Sequence, residues 1–206
     1  MLAAQKKSVY ATERELERVQ KKREEYGAES SQWDIGRFKF LDEAGSNLAM
    51  TRTRGRAVPG ARVFDSVPQD YGANVSMLAA LSVDGVSAPM TIRGAVDGLV
   101  FVAYVKEVLG PTLEEGDVVL MDNLPAHKIK MVRELIEGCG AKLIYLPPYS
   151  PDLNPIEKCW SKIKTYLRAV KARTYETLSE ALKEALQTIT AEDAKGWFAS
   201  CGYSLH

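Results

Sequence analysis

Residues 118–128, Val-Val-Leu-Met-Asp-Asn-Leu-Pro-Ala-His-Lys, decide the reading of the fold. Four apolar residues in a row, Val118 to Met121, suit a strand covered on both faces, as in a sheet layered between helices. The run then stops at Asp122-Asn123, two residues at home in turns. An acid at the end of a buried strand is where a helix-flanked sheet presents groups to a crevice.

Working outward, the neighbours agree with a layered α/β arrangement. Residues 96–109 are apolar on a helical period (Val96, Leu99, Val100, Ala103, Tyr104) and stop at Gly110-Pro111. A helix is predicted over 128–137, bracketed by Gly138 and Gly140, and a short buried strand over 142–146. Upstream, Arg37-Phe38-Lys39-Phe40-Leu41 alternates, which puts Phe38, Phe40 and then Asp42 on one face of a first strand. A turn and second strand are expected within 45–51, and a third strand within 71–83, closed by the turn signal Asp84-Gly85. Strands first, then helix–strand–helix–strand–helix, make a mixed sheet with helices on its faces.

After residue 146 come four prolines in nine positions, 147–155, which fix a rigid loop. Asn154 suits an N-cap and Pro155 the first helical position, with a helix to about residue 171. A further amphipathic helix is marked by Leu178, Ala181, Leu182, Ala185, Leu186 and Ile189, entered through Thr177 and Glu180, and a last short one follows Thr190. At the other end, residues 13–25 hold ten charges, five of each sign, with a thin apolar seam of Leu2, Val9, Leu16, Val19 and Tyr26. Thr12 and Glu15 suit a capping box. The segment reads as a solvated helix or a connector, dividing the chain into a charged N-terminal helix and linker (1–30) and a main domain (31–206).

Composition bounds the function. In 206 residues, 27 Lys+Arg balance 27 Asp+Glu, which excludes a uniformly basic nucleic-acid binder but not a local basic stripe. Three widely spaced cysteines (Cys139, Cys159, Cys201) contain no Cys-x-x-Cys, so neither a disulfide framework nor a zinc ribbon is supported, and two histidines (His127, His206) exclude a His-rich metal site. No stretch approaches the roughly 18 apolar residues of a membrane span. A cytoplasmic protein with no membrane partner is expected.

Three carboxylates stand out by position: Asp42 at the end of the first strand, Asp122 after the buried run, and Glu157 in the first turn of the helix after the proline loop. Carboxylates without His or Cys are hard oxygen ligands suited to Mg²⁺ or Mn²⁺. Two such ions, roughly 3.5–4 Å apart, can serve both the attacking and leaving oxygens of phosphodiester chemistry. Each acid also has a plainer reading: Glu157 completes an Asn154-x-x-Glu157 cap, Asp122 opens a loop, and Asp42 pairs with Arg52, Arg54 or Arg56.

The words around these acids carry a resemblance. Phe40-Leu41-Asp42-Glu43-Ala44-Gly45, residues 119–128, and Leu146-Pro147-Pro148-Tyr149-Ser150-Pro151-Asp152-Leu153-Asn154-Pro155-Ile156-Glu157, with 34 residues between Asp122 and Glu157, resemble the catalytic domain of DDE transposases of the mariner superfamily, in its bacterial insertion-sequence branch. The resemblance covers about residues 30–206 and includes the closing Gly196-Trp197-Phe198 and Cys201-Gly202-Tyr203. It implies a ribonuclease-H-like α/β fold, a mixed five-stranded sheet flanked by helices. It implies Asp42, Asp122 and Glu157 as a metal-binding triad holding Mg²⁺ or Mn²⁺, two ions in all, for strand cleavage at transposon ends and strand transfer into target DNA. It implies Asn123 and His127 as groups beside the triad or against DNA and Lys128 as a DNA contact, while His127 equally suits a structural role at the start of the next helix.

A DNA partner would explain six basic residues and no acid from Lys158 to Arg173; Lys158, Lys162, Lys164 and Arg168 are expected to meet phosphates. Arg52, Arg54 and Arg56 are expected to form a strand-hairpin clamp, whereas Trp160 reads as core. Members of this family normally begin with a helix-turn-helix region, so a separate DNA-reading half, a homodimer in the active complex and a place on the nucleoid are further expectations. A non-catalytic DNA-binding or assembly remnant, and a ribonuclease-H-like nuclease or resolvase, are the alternatives.

Overall fold

The computed structural model describes residues 11–203. Five strands form one sheet: β1 (Phe38–Ser46), β2 (Val75–Ser82), β3 (Gly85–Arg93), β4 (Val118–Met121) and β5 (Lys142–Tyr145). Their spatial order is β3-β2-β1-β4-β5. β1, β2 and β3 pair antiparallel, while β4 and β5 extend the sheet parallel to β1.

Strand alternation sorts the side chains into two cores. Phe38, Phe40 and Ala44 of β1, Met77, Ala79 and Leu81 of β2, and Leu120 of β4 face one side. There they meet α4 (Ile156–Val170), α5 (Tyr175–Gln187) and α6 (Ala191–Ser200). α4 buries Ile156, Cys159, Trp160, Ile163 and Leu167, one stripe at helical spacing, so Trp160 is core as expected. Leu41, Leu78, Val119 and Met121 face the other side, against α2 (Gly98–Tyr104) and α3 (Lys130–Gly138). Asp97 caps α2 by accepting from the Leu99 and Val100 amides at 3.0 and 2.9 Å. The three cysteines are free, and among the described residues no helix is long and apolar enough to cross a membrane.

Several elements depart from expectation. No strand forms after Ser46: residues 47–74 are an irregular loop, so the second strand of the sheet begins only at Val75. The turn at Asp84-Gly85 is real, with Gly85 at φ +126°, but it leads into β3, which the sequence hides. Pro89 interrupts the pattern there, and β3 tolerates it because it is the sheet edge. Beside it the register slips between Leu78 and Ala80, and Ala88 takes φ +50°, the marks of a bulge.

At the helix starts, the Thr12–Glu15 turn is 3-10 and does not cap; α1 (Glu17–Ser30) starts after Leu16 with no side-chain cap. α5 is capped by Thr174 with Thr177 in a reciprocal box, earlier than predicted. Val19 and Tyr26 of the apolar seam are buried and Leu16 is exposed; Leu2, Val9 and His206 lie outside the described residues.

Candidate active site

The parallel pairing of β1 with β4 brings two of the three acids together. Phe40 pairs with Leu120; two residues further along each strand stand Asp42 and Asp122, on the face that α4 covers. α4 begins at Ile156, so Glu157 lies in its first turn over the same strand ends. All three carboxylates line one open cleft of about 510 Å³, walled by the proline loop from Leu146 to Pro151 and by Asn123, Leu124 and Asn154. The three acids singled out in the sequence thus line the same cleft. The further expectation of a ready cage is not met: among the described residues no three His, Cys, Asp or Glu side chains are grouped so as to hold a metal ion.

The two aspartates differ sharply in support. Asp42 is buried, 8 % exposed. Its Oδ1 accepts from the Glu43 amide at 2.8 Å and its Oδ2 from Asn154 Nδ2 at 3.3 Å. Burial, then the negative charge of Glu157 and, more weakly, of Asp122, push its carboxyl up to about 7; the Glu43 amide only partly offsets this. No arginine of the 52–56 segment neutralises it, contrary to one reading of the sequence. Partial burial also pushes Asp122 up, but the His127 hydrogen bond, the Leu124 amide at 3.0 Å and the electrostatic influence of His127 and Lys128 outweigh it, so Asp122 lies below the ordinary carboxylate range.

His127 is 1 % exposed. Its Nδ1 meets Asp122 Oδ1 at 2.6 Å, its ring lies 4.4 Å from that of Phe101, and its carbonyl accepts from Tyr145 Oη at 2.9 Å. The ring is thus turned inward against Asp122 and Phe101, away from solvent. Asn123 donates from Nδ2 to the Leu146 carbonyl, tying the β4 exit to the start of the proline loop.

Asn154 is a residue whose role the sequence misassigned. Pro155, not Asn154, occupies the cap position of α4, and no side chain caps that helix. The Asn154 amide turns instead to Asp42, while its Oδ1 is buried without a partner. Only the packing of the start of α4 on β1, invisible in one dimension, puts residue 154 beside residue 42.

The basic residues fare differently. Lys158 donates to Ser200 Oγ, and Lys162 pairs with Asp193 and donates to the Thr188 carbonyl at 2.9 Å. Both line a separate hollow with Trp197, so they do not sit beside the acids as expected. Lys164 and Arg168 follow on α4 and do not line the cleft either. Arg52, Arg54 and Arg56 are exposed on the irregular loop 47–74; the predicted strand-hairpin clamp does not form, because the chain leaves the sheet at Ser46. Lys128 is exposed, with Nζ 5.9 Å from the Tyr145 ring centroid.

Comparison with known proteins agrees with this geometry. Residues 37–179 match the family model described as DDE superfamily endonuclease. The Tcb2 transposase of Caenorhabditis briggsae is 26% identical over 122 residues, 57% of this chain and 45% of the relative; the Tc1 transposase of Caenorhabditis elegans is 32% identical over 74 residues, 36% and 27%. The chain thus spans less than half the length of these curated relatives. Among solved structures, the Mos1 transposase paired-end complex with the left transposon end superposes with a TM-score of 0.74 at 18% identity, over 98% of this chain and 63% of that one. The catalytic domain of Mos1 mariner transposase gives 0.63 at 16% identity, over 93% and 89%. The fold is that of the Mos1 catalytic domain, as the ribonuclease-H-like expectation required.

Proposed function

We propose, from the premise that the chain belongs to the DDE superfamily of endonucleases, that it is the catalytic part of a mariner-superfamily transposase. On this reading it cuts DNA strands at transposon ends and joins them to target DNA. One observation carries the proposal: Asp42, Asp122 and Glu157, from β1, the β4 exit and the start of α4, open into a single cleft. Solved Mos1 paired-end complexes with Mg and with Mn have the same fold, with TM-scores of 0.73 and 0.72.

The donor set fits a hard divalent cation. The site offers carboxylate oxygens without a thiol. Asp42, crowded by two like charges in a buried position, is a group whose ionised form a cation would stabilise. We assign Asp42, Asp122 and Glu157 as the residues that hold Mg²⁺ or Mn²⁺, two ions in the working complex. Bound there, divalent ions supply activation of the attacking oxygen and stabilisation of the leaving one. The chain supplies the rest. His127 holds Asp122 in one orientation, Asn154 and the Glu43 amide hold Asp42, and the proline loop fixes the start of the helix that carries Glu157.

Duplex DNA is the partner this chemistry requires. The exposed Arg52, Arg54, Arg56 and Lys128, with Lys164 and Arg168 on α4, supply sequence-independent phosphate attraction. Two transposon ends call for a homodimer in the active complex, and a separate helix-turn-helix half of the transposase is a further expected partner. The place of action is the nucleoid.

The test is a nicking and strand-transfer assay on supercoiled plasmid with Mg²⁺ or Mn²⁺. The parent should cut and Asp122→Asn should not. Equal cutting by the variant would refute the assignment. Cutting of an RNA–DNA hybrid but not of duplex DNA would favour a ribonuclease instead, and salt-sensitive DNA binding with no cutting a binding remnant.

A further inference from the structure

The geometry points to Arg18, on the N-terminal charged helix, as a phosphate-binding residue of the cleft: α1 forms a wall of the substrate site. This rests on the reading above that the cleft receives DNA.

Three acids and a polyanion repel one another. Metal ions on the carboxylates address the reacting phosphate, but DNA carries one charge per about 1.7 Å of axis, and the flanking phosphates need cations of their own. Among the described residues, Arg18 is the only Lys or Arg that lines the cleft. The lysines that the sequence nominated on α4, Lys158 and Lys162, are committed to Ser200 and Asp193 around another hollow.

α1 is held in place by bonds that leave Arg18 unspent. Arg23 forks onto Asp152 of the proline loop, with Nη1–Oδ1 at 3.1 Å and Nη2–Oδ2 at 2.8 Å, and also donates to Ser150 Oγ. Arg14 Nη2 reaches the same Asp152 at 3.1 Å. Further along, Tyr26 Oη donates to Tyr203 Oη at 2.7 Å, and Tyr203 Oη donates to the Leu153 carbonyl at 2.8 Å. Two neighbouring arginines thus lock the helix to the loop that leads into α4. Arg18, the second residue of α1 and exposed, makes no ion pair with the described residues and opens into the cleft. A guanidinium is the side chain best shaped to bridge two phosphate oxygens.

Binding of a fluorescein-labelled duplex of arbitrary sequence, followed by anisotropy across a salt series in Ca²⁺, tests this directly. Arg18→Ala should weaken binding several-fold and lower the slope of log K against log salt by about 1. Arg18→Lys should restore most of the slope, and Arg18→Glu should weaken binding further. Lys183→Ala, which removes a remote exposed charge, should leave the slope near that of the parent. The melting temperature should hold in all four, since both side chains are exposed. A parent that binds DNA while Arg18→Ala matches it, or changes no more than Lys183→Ala, would overturn the role of Arg18 and leave that of the acids standing. Conversely, if Arg18→Ala loses slope but the parent never cuts DNA with Mg²⁺ or Mn²⁺, Arg18 stays a phosphate contact and the strand-cleavage reading fails.

Discussion

Asp42 and Asp122 stand at matching positions on adjacent parallel strands, yet the chain treats them in opposite ways. Asp122 is half-buried and its charge is met by His127, by a backbone amide and by Lys128. Asp42 is buried, faces two other carboxylates and receives only an amide and an Asn side chain. The surroundings favour the anion of Asp122 and disfavour that of Asp42. The difference teaches that strand register sets where an acid stands, while the residues that follow in the loops set what its charge costs. An anion left under-supported in an open cleft marks a candidate site for an external cation.

The most severe way to break this pairing is to neutralise the under-supported member. Asp42→Asn should abolish metal-dependent DNA cutting, a loss well beyond the ~100-fold that removal of an outer-shell partner costs. The plasmid nicking assay reads it, and residual activity within tenfold of the parent would remove Asp42 from the site. Weakening the support of the favoured member should cost less. His127→Asn, which takes away the hydrogen bond to Asp122, should reduce cutting or apparent metal affinity by about 10–100-fold, with partial recovery at higher Mn²⁺. An effect confined to stability, with full activity in the folded fraction, would make His127 merely structural.

The smallest effect is on stability, and its direction is opposite for the two acids. Asp42 binds its proton more tightly folded than unfolded, so its contribution is fully present below about pH 4 and is lost as pH rises to about 7. Without metal, Asp42→Asn should therefore melt above the parent at pH 8, by a few degrees at about 2–4 °C per kcal/mol, and the gap should close in acid. Asp122 is depressed, so its contribution is present at neutral pH and fades as the solution is acidified. Asp122→Asn should accordingly lose its melting difference from the parent in acid. Calorimetry in EDTA across this range reads both. A pH-independent difference for Asp42→Asn would show that the Asp42 carboxyl is not under the pressure its surroundings imply.

Much of this was legible beforehand, and the misses share a cause. The stripe of Ile156, Cys159, Trp160, Ile163 and Leu167 is local and announces α4 at once. The run Val118–Met121 announces a central strand, and the acids at its exit and in the α4 first turn follow from those two elements. What failed needed partners far away in the chain. Pro89 reads as a breaker until β3 is known to be an edge. Asn154 reads as a cap until Asp42 is seen opposite it. Lys158 and Lys162 look like phosphate ligands until α6 brings Ser200 and Asp193 against them. Arg14, Arg18 and Arg23 look alike among ten charges, and only the docking of α1 on Asp152 separates the two that anchor from the one that faces the cleft.

On the proposed function, three acids drawn from separate elements share divalent ions in this cleft. Anomalous diffraction from crystals soaked in Mn²⁺ tests this most directly. Density is expected between the carboxylates of Asp42, Asp122 and Glu157, and is expected to be lost in the Asp42→Asn protein. Ordered Mn²⁺ elsewhere with none in the cleft, or Mn²⁺ in the cleft bound without these oxygens, would contradict the assignment.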